Sequence, residues 1–413
     1  MAKSKQVQSD RRHWMDAGDL APLVAAFTSH LSGLGHASLT VTGYETSARH
    51  FVQWIDRTKI AVADIDDDVV HRFARHRCRC PGARRQDRVS AKYVKRARRF
   101  VEFLAERGIV ARPPQAQSVE RHEQVVAFEN WLKQHRGISP LTIGRHGRMI
   151  ERLLPALGNE SQQYDAGLVR RAILTEAKQV SPAYVKTMTT ALRGYLCFLA
   201  ANGLCPPCLD HAVPRIAQWR LSSLPRYIGT AEVERLINSC NLTTPHGVRD
   251  RAILLLLARL GLRAGDILAM RLDDIAWSDA TLRVRGKGRR EIRLPLPQDA
   301  GDAMLDYLER GRPRVASDRV FLRSPAPYRP FSGPSAISGI VALALKRAGI
   351  DDAPSKGANL LRHSAATAML RGGATLDMVG SVLRHQSPNT TAHYAKVDIT
   401  MLEQIAQPWP GDA

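Results

Sequence analysis

The chain has 413 residues, with 60 Lys and Arg against 39 Asp and Glu, a formal net charge of +21. A chain this basic is drawn to a polyanion at almost any cellular pH, DNA and RNA alike, and its length makes room for two or three domains. Six cysteines in that length do not make a disulfide scaffold, and no apolar run approaches the roughly 20 residues of a membrane span, so neither a disulfide scaffold nor a membrane-spanning helix is expected.

Residues 1–19 begin Met1-Ala2-Lys3-Ser4-Lys5-Gln6, have no apolar signal core and read as a tail. The expected setting is soluble, reducing and cytoplasmic. Residues 20–112 and 120–205 read as two small all-α helical bundles related by a faint duplication. Phe27, Leu31 and Ser38-Leu39-Thr40-Val41 are echoed by Phe128, Leu132 and Pro140-Leu141-Thr142-Ile143. Later, Tyr93-Val94-Lys95 and Phe103-Leu104-Ala105 are echoed by Tyr184-Val185-Lys186 and Phe198-Leu199-Ala200, the copies differing by about one helical turn.

The densest basic run is Arg84, Arg85, Arg88, Lys92, Lys95, Arg96, Arg98 and Arg99, with Asp87 the only acid inside it. On a helix Lys92, Lys95, Arg96 and Arg99 share one face, suited to a phosphate backbone, while Tyr93, Phe100, Val101 and Leu104 turn toward a core. The competing reading is a merely solvated face. Cys78-Arg79-Cys80 beside His76, and Cys205-x-x-Cys208, invite a zinc reading. No second ligand pair at finger spacing follows either, and the doubled proline constrains the second loop, so no metal site is expected.

Arg112-Pro113-Pro114 separates the two bundles, and residues 206–223, bounded by Pro206-Pro207 and Pro225, read as a linker to a third domain at 224–413. That domain is expected to open with a helix capped by Thr230, with Glu232 in its first turn and Val233, Leu236 and Ile237 facing inward. The glycines of Ala258-Arg259-Leu260-Gly261-Leu262-Arg263-Ala264-Gly265-Asp266 suggest one helix stopping and another starting, which leaves Arg263 at a junction with Asp266 one turn on. Asp273-Asp274 reads as a solvated turn before the first strand, since no second acidic cluster supports a metal-dependent nuclease. Lys287, in Arg285-Gly286-Lys287-Gly288, falls at the tip of a hairpin between the alternating segments 281–285 and 291–294. It is not a phosphate-cradling P-loop lysine, because Gly288 follows it where that loop has Ser or Thr. Leu361-Arg362-His363-Ser364 opens a helical segment, and Leu383-Arg384-His385-Gln386-Ser387 precedes Tyr394 by nine positions from His385.

In that order Arg263, Lys287, Arg362, His385 and Tyr394 suit attack by a tyrosine on a DNA phosphate. Charge builds on the phosphate oxygens in such an attack, and two guanidiniums, planar and always protonated, grip those oxygens in pairs. A phenol attacking phosphorus gives a phosphotyrosyl enzyme, and the departing hydroxyl needs a proton donor, for which Lys287 and His385 are available. Taken alone, each has a plainer reading: a half-buried packing tyrosine, a helix-terminal Arg263 paired with Asp266, a solvated turn lysine.

Together the Gly-Leu-Arg motif with an acid three residues on, the Gly-Lys-Gly hairpin, Leu-Arg-His, the Leu-x-His-x-Ser box and the following tyrosine resemble the tyrosine recombinases, or phage integrase family, over residues 224–407. The resemblance implies a mainly α catalytic domain with a small β-sheet (α+β), behind core-binding domains that complete a C-shaped clamp on duplex DNA. The second bundle, whose start contains Gly137-Ile138-Ser139-Pro140-Leu141-Thr142, is similar to the family's core-binding domain, and the first is an additional copy. By resemblance Arg263 and Arg362 clamp the scissile phosphate, Lys287 protonates the leaving 5′ oxygen, His385 is an acid/base and phosphate contact, and Tyr394 is the nucleophile. Asp266 orients the first arginine. Where the family usually has histidine, this chain has Asn359, which keeps a hydrogen-bond donor for a phosphate oxygen but no acid/base role. His363 is a possible substitute. The implied enzyme is an integrase, resolvase or transposon recombinase needing no cofactor, metal or ATP, acting at paired sites as a tetramer of two dimers. A type IB topoisomerase and a DNA-binding regulator that has lost activity are the alternatives. After the tyrosine, Ile399, Leu402, Ile405 and Ala406 give a short helix one apolar side, which the resemblance docks on a neighbouring protomer.

Overall fold

A computed structural model describes residues 19–77, 90–111, 121–216, 224–285, 291–385 and 387–397. Two compact units divide the chain, Arg112–Ser222 and the combination of Met1–Ala111 with Ser223–Ala413. Most of the described chain is helical, with one three-stranded sheet.

The first segment folds as α1 (Ala21–Gly33), α2 (Ser38–Thr58), α3 (Asp67–Arg75) and α4 (Ala91–Glu106). Phe27, Leu31, Phe51, Phe73, Phe100 and Leu104 recur at helical spacing and meet in one apolar core. Asp66 and Ser90 cap α3 and α4 by accepting the N–H groups of Val69 and Tyr93. In the Arg112–Ser222 unit, α5 (Glu123–His135), α6 (Pro140–Leu157), α7 (Ala166–Ala177) and α8 (Pro182–Ala201) enclose Phe128, Leu132, Ile150, Leu192, Tyr195 and Leu199. Ser139, Asp165 and Ser181 cap α6, α7 and α8.

The two segments whose sequences echo one another share one order of elements. Each set runs helix, helix, short 3-10 turn, helix, helix, the turns being Val62–Asp64 and Ser161–Gln163. The echoed Phe27 and Phe128 are fully buried, as are Leu104 and Leu199, while the matched Leu39 and Leu141 are both exposed. The matched positions on each first and fourth helix are therefore held in the core, while Leu39 and Leu141, near the start of each second helix, are left out.

The C-terminal segment begins with α9 (Thr230–Asn238) and α10 (Pro245–Arg259). Val233, Leu236 and Ile237 are buried, as their spacing predicts. The cap differs by one position: Gly229 is the N-cap and Glu232 reaches back to its N–H at 2.9 Å, so Thr230 is the first helical residue. Helix α10 is apolar on every side from Ala252 to Leu257 and forms the centre of this core.

After α11 (Ala264–Ala269) come β1 (Ile275–Ala276), β2 (Thr281–Arg285) and β3 (Glu291–Pro295), antiparallel in the order β1-β2-β3, with Arg285 opposite Glu291. Alternation in β2 buries Leu282 and Val284. The solvated-turn reading of Asp273-Asp274 is corrected at its second residue. Asp273 is exposed, but Asp274 is buried and accepts from the Arg271 N–H at 2.9 Å and Arg283 Nε at 3.0 Å, with Arg285 Nη2 at 3.3 Å. A carboxylate so enclosed by donors fastens the start of the sheet to its second strand. The chain continues through α12 (Gln298–Asp306), α13 (Pro334–Arg347), α14 (Ala358–Arg371), α15 (Leu376–Leu383), the single turn α16 (Pro388–Thr391) and a 3-10 turn, Ala392–Val397.

Candidate active site

Arg263 sits at the junction anticipated for it. Helix α10 stops at Arg259, Gly261 takes φ +56°, and Arg263 is the N-cap of α11. Gly261 is required twice over, since its backbone is left-handed and an added Cβ would meet Leu383 at 2.4 Å. Asp266 accepts the Arg263 backbone N–H at 2.7 Å, closing the first turn of α11.

The side-chain partner of Asp266 is not the Arg263 guanidinium, as an orienting salt bridge would have it, but that of Arg384. Arg384 ends α15 with φ +56°, is buried, and accepts from Arg263 Nη2 through its own carbonyl at 3.3 Å. One residue thus holds both Asp266 and Arg263. Its Nε and Nη1 are buried without a hydrogen-bond partner. Sequence reading missed it because Arg384 lies 118 positions from its acid and nothing local distinguishes it from a phosphate-facing arginine.

Arg362, on the first turns of α14, is buried and donates to the Gly261 and Leu383 carbonyls. Burial, with Arg263 and Arg384 nearby, pulls it down to about 10, and Tyr394 opposes the shift. Burial lowers Arg263 also, against the pull of Asp266. Arg263 and Arg384 thus raise the cost of charging Arg362, and an anion bound beside it would lower that cost.

Tyr394 lies in the 3-10 turn, 2% exposed, packed against Ala366, Leu370, Val379 and Leu383. Burial raises its phenol, while Arg362 and Arg263 work the other way. Its hydroxyl lies 2.7 Å from His363 Nδ1. On the other side the His385 ring is parallel to the phenol, within 3°, at a centroid distance of 6.2 Å. His385 Nδ1 is 2.8 Å from Thr391 Oγ1, and burial with Arg362 and Arg263 beyond it lowers the imidazole to about 4.

Arg263, Arg362, His385 and Tyr394 therefore converge from three stretches of chain. Lys287 and the apolar stripe Ile399, Leu402, Ile405 and Ala406 lie outside the described residues, as do Cys78 and Cys80. Asn359 is exposed in the first turn of α14. On α4, Lys92 and Lys95 are exposed, but Arg96 stacks over the Tyr44 ring at 5.5 Å and Arg99 pairs with Glu102 and Glu106. Part of that basic face is thus neutralised within the bundle, and Lys95 and Arg99 line a cavity of about 690 Å³ there. Among the described residues no cluster of His, Cys, Asp and Glu is arranged to hold a metal ion, and no helix is long and apolar enough to cross a membrane.

Arg384→Ala should lower stability by about 3 to 5 kcal/mol, because it strands a buried carboxylate. Alanine at the same positive φ keeps the backbone cost, so urea denaturation reads the lost guanidinium. A loss below about 1 kcal/mol would mean that Asp266 finds another partner.

A sequence profile described as the Phage integrase family matches residues 226–401. The chain is 39% identical over 401 residues to the putative integrase/recombinase y4rA of Sinorhizobium fredii (strain NBRC 101917 / NGR234), covering 96% of each protein. It is 28% identical over 280 residues to the tyrosine recombinase XerD of Lacticaseibacillus casei, covering 66% of this chain and 93% of that one. Among solved structures, XerH site-specific recombinase bound to palindromic difH substrate in a post-cleavage complex matches with TM-score 0.56 at 20% identity, over 69% of this chain and 85% of that one. A lambda integrase dimer bound to a COC' core site matches with TM-score 0.53 at 16% identity, over 76% and 90%.

Proposed function

Since the chain belongs to the phage integrase family, we propose that it is a site-specific DNA recombinase of a mobile element that cleaves and rejoins strands through a 3′-phosphotyrosyl intermediate. The observation that carries this reading is the convergence of a buried tyrosine with two arginines and a histidine on one anion-deficient spot. Arg263 and Arg362 hold the non-bridging oxygens of the scissile phosphate, and their stabilisation grows as charge accumulates in the transition state. The Tyr394 oxygen forms its bond to phosphorus as the bond to the 5′ oxygen breaks, and Lys287 supplies the proton that the leaving oxygen needs. His385, fixed by Thr391 at Nδ1, offers Nε2 to the phosphate. Exposed Asn359 adds a hydrogen bond to it. Asp266, clamped by Arg384, keeps the start of α11 in place under Arg263.

Because the phosphotyrosyl bond retains the energy of the cleaved strand, rejoining needs no ATP. The arginines take the part that metal ions play elsewhere. Duplex DNA with paired recombination sites is the partner, Lys92 and Lys95 meet its backbone, and two dimers assemble on it. Incubation with a nicked duplex carrying one recombination site, whose cut releases a short fragment and prevents rejoining, should give a covalent protein–DNA adduct at the same rate with EDTA as without. Activity lost to the chelator and regained with magnesium would overturn this mechanism.

A further inference from the structure

His363 follows Arg362 directly, about 100° farther round α14. The helix therefore sends the guanidinium to the Gly261 and Leu383 carbonyls and the imidazole to the phenol. The Tyr394 hydroxyl and His363 Nδ1 are 2.7 Å apart, and the rings, with centroids 5.5 Å apart, are tilted by 49°. Two other histidines lie beside that phenol: His385 has its Nδ1 engaged by Thr391 and its ring parallel to the phenol, and the His393 ring meets the phenol ring edge-on with centroids 5.8 Å apart.

We propose that His363 is a catalytic base of strand cleavage, accepting the proton of the Tyr394 hydroxyl at Nδ1 as the phenol attacks phosphorus. The inference rests on Tyr394 being the nucleophile. Burial, together with His393 and Arg362, lowers His363 to about 4, so at neutral pH the imidazole is uncharged, and with its proton on Nε2 it offers a lone pair at Nδ1. The same neighbours make the imidazolium costly in the free protein, and a bound phosphodiester lowers that cost by placing an anion beside it.

The protons balance at both ends of the displacement. The oxygen–phosphorus bond to Tyr394 forms and the phenol proton passes to His363, while the bond to the 5′ oxygen breaks and that oxygen takes a proton from a separate donor. In rejoining, the 5′ hydroxyl attacks, returns its proton to that donor, and His363 gives its proton back to the departing phenol. The base and the acid are thus different residues acting on different oxygens, which makes them separable by experiment.

The test is single-turnover cleavage of two nicked duplexes, one with the ordinary 5′ oxygen at the scissile phosphate and one with sulfur there, a leaving atom that needs no proton. The full-length chain is compared with Tyr394→Phe, Lys287→Ala, His363→Ala and His363→Gln, with DNA affinity and thermal unfolding measured in parallel. Glutamine keeps a hydrogen-bonding side chain but cannot carry the proton, so it separates proton transfer from mere orientation of the phenol. Both His363 variants should cleave more slowly by on the order of a hundredfold or more on either substrate, whereas sulfur should restore Lys287→Ala. If His363→Gln cleaves within about fivefold of the parent, or sulfur restores either His363 variant, His363 is not the base. If Tyr394→Phe still forms an adduct, the nucleophile assignment fails, and this inference fails with it.

Discussion

Tyr394→Phe should abolish the covalent adduct while leaving DNA affinity within about tenfold, because the only atom removed is the one assigned to attack phosphorus. The aromatic ring keeps its packing against Ala366, Leu370, Val379 and Leu383, and the hydrogen bond lost is the one to His363. A single hydrogen bond contributes about 1 kcal/mol, so the variant should unfold close to the parent. Cleavage and stability should therefore separate completely. Adducts persisting in this variant in gel assays would remove Tyr394 from the chemistry.

Arg263→Ala and Arg362→Ala should each slow single-turnover cleavage by on the order of a hundredfold to a thousandfold, comparable with deleting one charge-stabilising donor from a preorganised site. The two should differ in stability. Arg263 is half-buried and its guanidinium is bonded to the carbonyl of Arg384, so its loss leaves little unsatisfied. Arg362 is buried and serves the Gly261 and Leu383 carbonyls, so alanine leaves both without that donor and should cost about 1 to 3 kcal/mol for each. Cleavage is therefore to be compared at a temperature where both variants are folded. A loss under about fivefold would exclude a clamp role for that arginine.

Much of this site was legible in the sequence because its parts depend on local rules. The glycine-bounded junction at Arg263, the alternating strands flanking Lys287 and the helix carrying Arg362, which begins at Ala358, a turn earlier than expected, are each set by residues within a turn or two. The mainly α catalytic fold with one small sheet was implied by the family resemblance that these motifs carry. What escaped depends on pairings across the chain. Asp266 was read with Arg263, three positions away, yet its carboxylate also binds Arg384, and only the return of α15 to the start of α11 brings them together. Asp274 looked like half of a solvated turn until β2 folded back to lay Arg283 and Arg285 on it. His363 was weighed against Asn359 by position in the motif, whereas its contact with Tyr394 depends on where the 3-10 turn Ala392–Val397 comes to rest against α14. Arg96 and Arg99 were grouped with Lys92 and Lys95 by helical spacing alone, a pattern blind to Tyr44 on α2 and to the acids Glu102 and Glu106 farther along α4.

The most direct measurement is identification of the residue joined to DNA. The adduct trapped on the nicked duplex is digested with nuclease and protease, and the modified peptide is sequenced by mass spectrometry. The peptide should carry the 3′ nucleotide of the cut strand on the oxygen of Tyr394. A nucleotide on any other side chain, or a strand cut with no covalent adduct at all, would contradict the account.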